Sequence, residues 1–453
     1  MSTAVALDKL DETHLPRTIL SLIWPVVIQE AAFGVLAMVT TFLVGKFGAS
    51  AITAVSLSDT IVHLPEVAFQ GISVGTIAII ARQVGAGETG QVNRSVRQAM
   101  LLSIVAGVIF AVLWWFLADF WLWVFQAKGD VATLGRTYIR INAPCVFFFF
   151  ILYCGESLMR GSGNMRTPMM ITVSIEIIGT TLAVALIRGF WFVPALGVLG
   201  AAIARAFVSF LGAVIVTILL VRGQGLLKWD LRHAFHFDFS ASKRILNVGL
   251  PAFLEQAQMR GAMSIYQIII SSLGTTAYAA HALAMRVEEF AFLPSWGFSV
   301  AATTLVGQCL GAKRPDLAEK SAGLAQRYCL IAMVGLGLLT FFLGKNLIAI
   351  FIDDPEVVRL GTLGLQIWAL AMPGMAINQT LAGGLRGAGD TRWVLLLTTA
   401  GMWTMRVAGG ALLAFTFGFG VAGAWGGAVL DHTVRAVIIW WRFRSGKWKT
   451  IKV

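Results

Sequence analysis

Twelve long apolar stretches, separated by short polar connections, run along the whole chain. Each is bounded by glycine, proline or charged residues and reaches about 20 residues, the length a helix needs to cross the hydrocarbon core of a bilayer. The strands of a membrane barrel need only about ten residues of alternating polarity, which these stretches do not follow. The stretches lie near residues 18–45, 52–80, 95–119, 133–158, 166–188, 196–221, 245–272, 279–307, 322–344, 357–385, 392–415 and 420–442. The pattern predicts an all-α membrane protein with twelve transmembrane helices.

Basic residues are unevenly distributed between the two sets of alternate connections. One set includes the segment 222–244 and the tail 442–452, whereas the other set carries few cations. The positive-inside rule places the basic set, and with it both termini, in the cytoplasm. Trp440, Trp441 and Trp448 follow the twelfth span and are predicted to anchor it at the membrane interface. We therefore expect a multi-pass protein of the cell membrane, either the inner or the plasma membrane.

The two halves of the chain repeat each other at a spacing of 226 residues. Pro25 corresponds to Pro251, and Arg160-Gly161-Ser162-Gly163 corresponds to Arg386-Gly387-Ala388-Gly389. Because each half has six spans, an even number, both halves enter the membrane from the same side and the repeats are parallel. The predicted division is an N-terminal six-helix lobe at 1–221, a cytoplasmic loop at 222–244 and a C-terminal six-helix lobe at 245–453.

Composition excludes several classes of protein. Of the 453 residues, 57% are hydrophobic and 13% are charged, which is too little polar surface for a soluble globule. The net charge of +12 is spread over many loops, so no basic patch predicts a nucleic-acid partner. The four cysteines show no Cys-x-x-Cys spacing, and we expect free thiols and no metal site. No nucleophile has a base at catalytic spacing, so an enzyme is not expected.

Glu255 places a carboxylate inside the seventh apolar stretch. An acid within a membrane span is costly and marks a functional site by default. Met259, Ala262 and Tyr266 continue its helix face, which is suited to line a cavity. Burial favours the neutral form of a carboxylate, so Glu255 is suited to hold a proton and to release it when water enters. The alternative is a structural acid, held by a donor of a neighbouring helix or by Arg260.

Other acids within the spans compete with Glu255 for this role. Glu30 follows Gln29, the repeat counterpart of Glu255, and Glu66 and Glu176 lie in other spans of the first half. Arg260 requires an anion, for which Glu288 or Glu289 is the candidate. Three pairs at helical spacing are expected to be structural. They are Glu156 with Arg160, Arg286 with Glu289, and Asp431 with Arg435.

The eighth span and the loop after it carry a specific combination of residues. It comprises Tyr278-Ala279-Ala280-His281-Ala282-Leu283-Ala284-Met285-Arg286, Phe292-Leu293-Pro294-Ser295-Trp296-Gly297-Phe298 and Leu305-Val306-Gly307-Gln308-Cys309-Leu310-Gly311-Ala312. With its first-half counterpart Ala81-Arg82-Gln83-Val84-Gly85-Ala86-Gly87 and the paired Arg-Gly-x-Gly loops, it resembles the multidrug and toxic compound extrusion (MATE) family over nearly all of the chain. The resemblance implies a V-shaped pair of six-helix lobes that exports amphipathic, often cationic compounds in exchange for protons or sodium.

The chain departs from this family at the acids of the first lobe. Many bacterial members carry an Asp late in the first span, where the sequence here has Thr40. Where their fifth span has an Asn and an Asp four residues apart, this chain has Gly179 and Ala183. Glu255 corresponds to the acid that other members use in the seventh span. The resemblance therefore implies a coupling site in the second lobe, with the first-lobe acids as rivals.

The sequence thus predicts an antiporter that works by alternating access, with H⁺ preferred and Na⁺ possible as coupling ion and no other cofactor. Its partners are small amphipathic substrates and the lipid bilayer, and a monomer is expected. The predicted coupling acids are Glu255, Glu30, Glu66 and Glu176. Flexible Met and flat aromatic side chains suit a site for many apolar cations. The predicted cavity consists of Gln29, Thr40, Gln256, Met259, Arg260, Tyr266, Glu288, Glu289, Phe292, Trp296, Asn378 and Gln379.

An alternative function is a flippase for a lipid-linked precursor, a member of the related superfamily. Such a protein needs a cavity rich in basic residues to bind pyrophosphate. Arg260 and Arg286 are the obvious contributors in this sequence. The alternative therefore depends on which charges line the cavity.

Overall fold

The computed structural model of the chain describes residues 14–45, 49–189 and 195–451. Within these ranges, the side chains of residues 35–45, 49–54 and 56 lie outside the description, and Thr40 is among them. The described secondary structure is helical apart from one isolated bridge between Gln224 and Leu227. The α-helices are α1 (Leu15–Gly45), α2 (Ala49–Val62), α3 (Glu66–Gly85), α4 (Thr89–Phe116), α5 (Ala118–Val124), α6 (Gly129–Gly161), α7 (Arg166–Arg188), α8 (Val198–Arg222), α9 (Phe239–Ser271), α10 (Thr275–Gly311), α11 (Pro315–Ala349), α12 (Pro355–Gly387), α13 (Thr391–Ala400) and α14 (Gly420–Arg444).

Each predicted span coincides with one helix or with consecutive helical segments. The second span is divided between α2 and α3 by a turn at 63–65, because a residue before proline avoids helical backbone and Pro65 interrupts the hydrogen-bond ladder. The eleventh span begins as α13 and continues as π-helix over Gly401–Gly409 and Leu412–Thr416. Eight of the described helices are long and apolar enough to cross a membrane, namely α3, α4, α6, α7, α8, α10, α11 and α12. The all-α prediction is confirmed.

The chain forms two compact units. Of the described residues, unit 1 holds 28–80 and 88–246, and unit 2 holds 14–27, 81–87 and 247–451. Helices α1 and α3 therefore contribute to both units. The four cysteines are free and buried, as the sequence predicts.

The polar connection between α8 and α9 is attached to unit 1. The guanidinium of Arg94 on α4 lies 2.6 Å from the carboxylate of Asp238, and the Gln98 side chain donates to the carbonyl of His236 at 2.7 Å. The backbone N–H of Ala241 donates to Asp238 and, together with Arg94, lowers the pKa of this carboxyl. The connection is thus held against α4 by hydrogen bonds and charge.

The repeated Arg-Gly-x-Gly segments are helix ends of one type. Gly163 and Gly389 both have a φ of +87°, and their N–H groups donate to the carbonyls of Arg160 and Arg386. The next residue in each repeat donates to the carbonyl five positions before it, which completes a Schellman motif. This turn fixes the last turn of α6 and of α12, and with it the position of each arginine.

Unit 2 contains a close helix crossing built on Gly85 of α3 and Gly311 of α10. A Cβ at Gly311 would overlap the carbonyl oxygen of Arg82, and a Cβ at Gly85 would overlap that of Gln308. Gly85 and Gly311 are 226 residues apart, as are Arg82 and Gln308. The two repeats therefore present the same surface to each other at this crossing, and only glycine lets the backbones approach.

Gly311→Ala should destabilise the protein because its methyl group meets backbone that cannot move independently. Overpacking of this kind costs about 1–3 kcal/mol. Thermal unfolding of the detergent-solubilised protein should show a melting temperature several degrees below that of the parent. Gly335→Ala on α11 is the control, since nothing lies within 4 Å of its Cβ position. Equal melting temperatures for the two variants would contradict the crossing.

Candidate functional site

A buried carboxylate on α6 joins three helices of unit 1. Glu156 is 1% exposed and accepts hydrogen bonds from Gln29 Nε2 of α1 at 3.0 Å and from Thr172 Oγ1 of α7 at 2.7 Å. Arg160, one turn later on α6, brings Nη2 to 3.5 Å from the same carboxylate. The predicted pair of Glu156 and Arg160 is confirmed. We call Gln29, Glu156, Arg160 and Thr172 the unit 1 lock.

Glu255 on α9 has the same environment in unit 2. Its carboxylate is 1% exposed and accepts from Arg386 Nη2 at 2.6 Å, from Arg386 Nε at 3.4 Å and from Thr398 Oγ1 at 3.3 Å. Arg386 belongs to α12 and Thr398 to α13, so three helices again meet at one carboxylate. Glu255 is therefore held by a donor of a neighbouring helix, and this donor is Arg386 instead of Arg260. We call Glu255, Arg386 and Thr398 the unit 2 lock.

The two locks are repeats of each other with the carboxylate moved to a different helix. Their equivalent positions, each 226 residues apart, are Gln29 with Glu255, Arg160 with Arg386, and Thr172 with Thr398. The counterpart of Glu156 is Ala382, which carries no charge. A buried arginine needs an acid nearby. Unit 1 supplies this acid from α6, and unit 2 supplies it from α9.

Unit 1 also contains a cavity of about 130 Å³. Aromatic side chains form much of its wall, namely Phe33, Tyr138, Phe149 and Tyr153. Its charged lining residues are Asp59 of α2, Glu176 of α7 and Arg205 of α8. The cavity thus combines flat apolar surfaces with one cation and two carboxylates.

Two of these charges are already engaged with protein groups. The Tyr138 hydroxyl donates to Asp59 Oδ1 at 2.7 Å, and Arg205 Nη1 lies 3.8 Å from the same oxygen. Arg205 Nη2 also contacts His63 Nε2, and His63 Nδ1 contacts the carboxylate of Glu66. Arg205 therefore lies between Asp59 on one side and the His63 and Glu66 pair on the other. His63 and Glu66 line a smaller neighbouring cavity.

Glu176 is the cavity acid that is not engaged in this way. Its side chain is half-buried and, within the described part of the chain, makes no hydrogen bond or ion pair, although it interacts electrostatically with Arg205. Glu30, Glu66 and Glu176 all interact electrostatically with Tyr153. The structure therefore brings the three predicted first-half acids into one region of unit 1.

A second charged cluster lies in unit 2. Asp431 Oδ2 of α14 is 2.5 Å from Arg435 Nη2 and 3.0 Å from Arg406 Nη2, so two guanidinium groups share one carboxylate. Arg406 belongs to the π-helical segment, contacts His432 Nε2 at 2.7 Å and lies 5.6 Å from the centre of the Trp368 ring. The predicted pair of Asp431 and Arg435 is confirmed. The cluster is compact and internally compensated.

Glu288 on α10 is near this cluster. It is 8% exposed, and its Oε2 atom has no hydrogen-bond partner among the residues that the structure describes. Arg406 interacts with it electrostatically. Arg260 is exposed on α9 and forms no ion pair with the described residues, so the expectation that it meets Glu288 or Glu289 is wrong. Glu289 is exposed and lies 3.2 Å from Arg286, which confirms that predicted pair.

The remaining predicted cavity residues are distributed over α9, α10 and α12 of unit 2. Gln256 and Met259 are half-buried, whereas Tyr266 is fully buried and donates to the carbonyl of Ala424 at 3.0 Å. Tyr266 therefore belongs to the helix packing. Asn378 is buried, and the half-buried members on α10 and α12 are Phe292, Trp296 and Gln379. Thr40 lies outside the described side chains.

Sequence reasoning missed Asp59 and the partner of Glu255. Asp59, His63 and Glu66 follow each other at intervals of four and three residues, the spacing of one helix face, and this signal was present in the second span. The pairing of Glu255 with Arg386 joins residues 131 positions apart. The repeat offset gives that pair a signal, since it carries Arg160, the expected partner of Glu156, onto Arg386.

Comparison with known proteins places the chain in a family. The sequence model of the MatE family matches residues 25–185 and 251–412. The probable multidrug resistance protein NorM of Thermotoga maritima is 28% identical over 98% of this chain and 95% of its own length. The multidrug resistance protein PmpM of Pseudomonas aeruginosa is 25% identical over 93% of this chain and 90% of its own length.

Solved structures agree with these matches. The crystal structure of the Vibrio cholerae MATE transporter VcmN superposes with a TM-score of 0.89 at 20% identity, over 96% of this chain and 97% of that chain. Such structures have twelve transmembrane helices in two lobes, which confirms the predicted fold class. Proteins of this family are transporters and not enzymes. The chain belongs to the MatE family of membrane transporters.

Proposed function

We propose that the protein is a cation-coupled antiporter that exports amphipathic, mostly cationic drugs or metabolites by alternating access. Protons are the preferred coupling ion, and sodium is the alternative. The protein acts as a monomer in the inner or plasma membrane, with both termini in the cytoplasm. The observation that supports this function is the aromatic cavity of unit 1, in which the carboxylate of Glu176 is not engaged by another side chain.

The charges of the cavity favour a cationic occupant. Asp59 and Arg205 compensate each other, so Glu176 leaves one negative charge for a proton or an organic cation. The faces of Phe33, Phe149 and Tyr153 attract cations through their ring quadrupoles. A flat apolar cation therefore gains from the ring surfaces and from the carboxylate together.

Coupling follows from competition for the Glu176 carboxylate. A proton on Glu176 removes the charge that holds the substrate, and a bound organic cation keeps the proton away. If each occupant favours a different arrangement of the transporter, the proton gradient drives substrate export. Glu66, paired with His63, and Glu30 are further candidates for the proton, because they share the surroundings of Tyr153 with Glu176.

Glu255, the first candidate from the sequence, is proposed to act as the counterion of Arg386. Two hydrogen bonds from the guanidinium and one from Thr398 stabilise its charged form. Protonation of Glu255 would leave Arg386 buried without a counterion. The unit 2 lock therefore resists the proton exchange that a coupling acid needs.

The charges of the cavity do not favour the flippase alternative. A lipid-linked pyrophosphate requires several cations, and Arg205 is the one cation among the described lining residues. Asp59 already accompanies this arginine. Binding of a fluorescent cationic dye and of a lipid-linked precursor to the purified protein would discriminate the two functions.

Glu176→Gln should abolish proton-driven export, because the amide cannot exchange a proton with the substrate. In proteoliposomes with an imposed pH gradient, uptake of a fluorescent cationic dye should fall by roughly tenfold or more, which corresponds to about 1.4 kcal/mol. The melting temperature should stay close to that of the parent, since Glu176 is half-buried and bonds to no described side chain. Glu289→Gln is the control, because its exposed pair with Arg286 contributes little. Parent-like pH-driven uptake by Glu176→Gln would contradict the proposal, and an imposed sodium gradient tests the alternative coupling ion.

Glu255→Gln should behave in the opposite way. Breaking a buried ion pair by removal of one partner costs about 3–5 kcal/mol, so its melting temperature should fall strongly. Glu255→Gln with Arg386→Gln should recover part of this loss, because no buried charge remains unpaired. If Glu255→Gln is as stable as the parent and loses pH-driven uptake, Glu255 is the coupling acid and the assignment to Glu176 fails.

A further inference from the structure

Unit 2 has a larger cavity, of about 630 Å³, that the proposed transport cycle does not use. It lies where the first turns of α11 meet the last turns of α14, beside the beginning of α1. Its volume is within the range of pockets that bind small organic ligands. Its lining divides into an apolar floor and a charged rim.

The floor comes from four helices. Leu15 of α1, Leu324 of α11, Leu381 of α12 and Phe443 of α14 all contribute apolar surface. Leu15, Leu381 and Phe443 are buried. Such a floor accommodates hydrocarbon, which a freely soluble anion does not possess.

The rim is predominantly cationic. Lys320 and Arg327 of α11 and Arg444 of α14 line it, together with the acids Asp316 and Glu319. Glu319 is neutralised by Lys449, whose Nζ lies 2.5 Å from the carboxylate. With Lys449 included, four cations face two carboxylates, an excess of two positive charges. The rim therefore favours an anionic group.

A tryptophan places this rim at the level of the membrane interface. The guanidinium of Arg444 lies 4.9 Å from the centre of the Trp440 ring, and Trp440 and Trp441 are exposed. Exposed tryptophans at the end of a transmembrane helix are typical of the boundary between lipid and water. Trp448, in contrast, is buried and stacks on Phe443, so its prediction as an anchor is wrong.

We propose that this cavity binds one anionic phospholipid. The headgroup phosphate lies between Arg327 and Arg444, and part of an acyl chain covers Leu324 and Phe443. Basic pockets between transmembrane helices bind anionic headgroups in this way. The predicted topology assigns the site to the cytoplasmic leaflet, whereas binding itself depends neither on the topology nor on the coupling acid.

The test is lipid binding to the purified full-length protein in detergent. Native mass spectrometry and thermal unfolding are measured with added phosphatidylglycerol, with phosphatidylcholine and with inorganic phosphate. Phosphatidylglycerol should remain bound and raise the melting temperature, and the other two should do neither. Equal effects of the two lipids overturn the proposal, as does an equal effect of inorganic phosphate.

Variants locate the site. Arg327→Gln with Arg444→Gln should weaken phosphatidylglycerol binding by roughly tenfold or more, because each cation near a lipid surface contributes about 1 kcal/mol. Arg327→Gln alone, at an exposed position, is the second variant in case the pair does not fold, and it should weaken binding severalfold. Lys345→Gln at the other end of α11 is the matched control and should bind as the parent does. Unchanged binding in the Arg327 variants overturns the assignment to this cavity.

Discussion

The arginine that ends each repeat motif imposes the main constraint on this molecule. The Schellman turns at Gly163 and Gly389 fix the last turns of α6 and α12, so Arg160 and Arg386 must lie inside the helix packing. A guanidinium in that position requires a carboxylate within reach. Each unit satisfies the requirement with one acid and one threonine, and thereby sets the relative positions of three helices. Packing, helix register and charge compensation meet at this point.

The two repeats satisfy the same constraint with the acid on different helices. One carboxylate within reach suffices for charge compensation, so Glu156 on α6 and Glu255 on α9 are equivalent solutions. A conspicuous acid in an apolar span can therefore belong to the architecture, and an inconspicuous one can belong to the chemistry. Glu176 and Asp59 face a cavity with aromatic walls, which is the environment that ion exchange with an apolar cation requires.

The hydrophobic pattern was sufficient to predict the helices, and the repeat offset predicted which positions are equivalent. The division of the second span at Pro65 was readable from local chemistry, because proline interrupts the backbone hydrogen bonds. The site was less predictable. Helical spacing predicts pairs such as Asp431 with Arg435, but it does not reveal whether Arg386 or Arg260 meets Glu255. That choice depends on how α9, α12 and α13 pack, which local sequence does not encode.

Transfer of the acid within the unit 1 lock tests the central claim most directly. Glu156→Ala with Gln29→Glu gives unit 1 the residues that unit 2 has at the equivalent positions. Glu156→Ala alone should lower the melting temperature, since loss of one partner of a buried pair costs about 3–5 kcal/mol. The double variant should return to within about 2 °C of the parent and retain pH-driven dye transport. A double variant no more stable than Glu156→Ala alone would contradict the account.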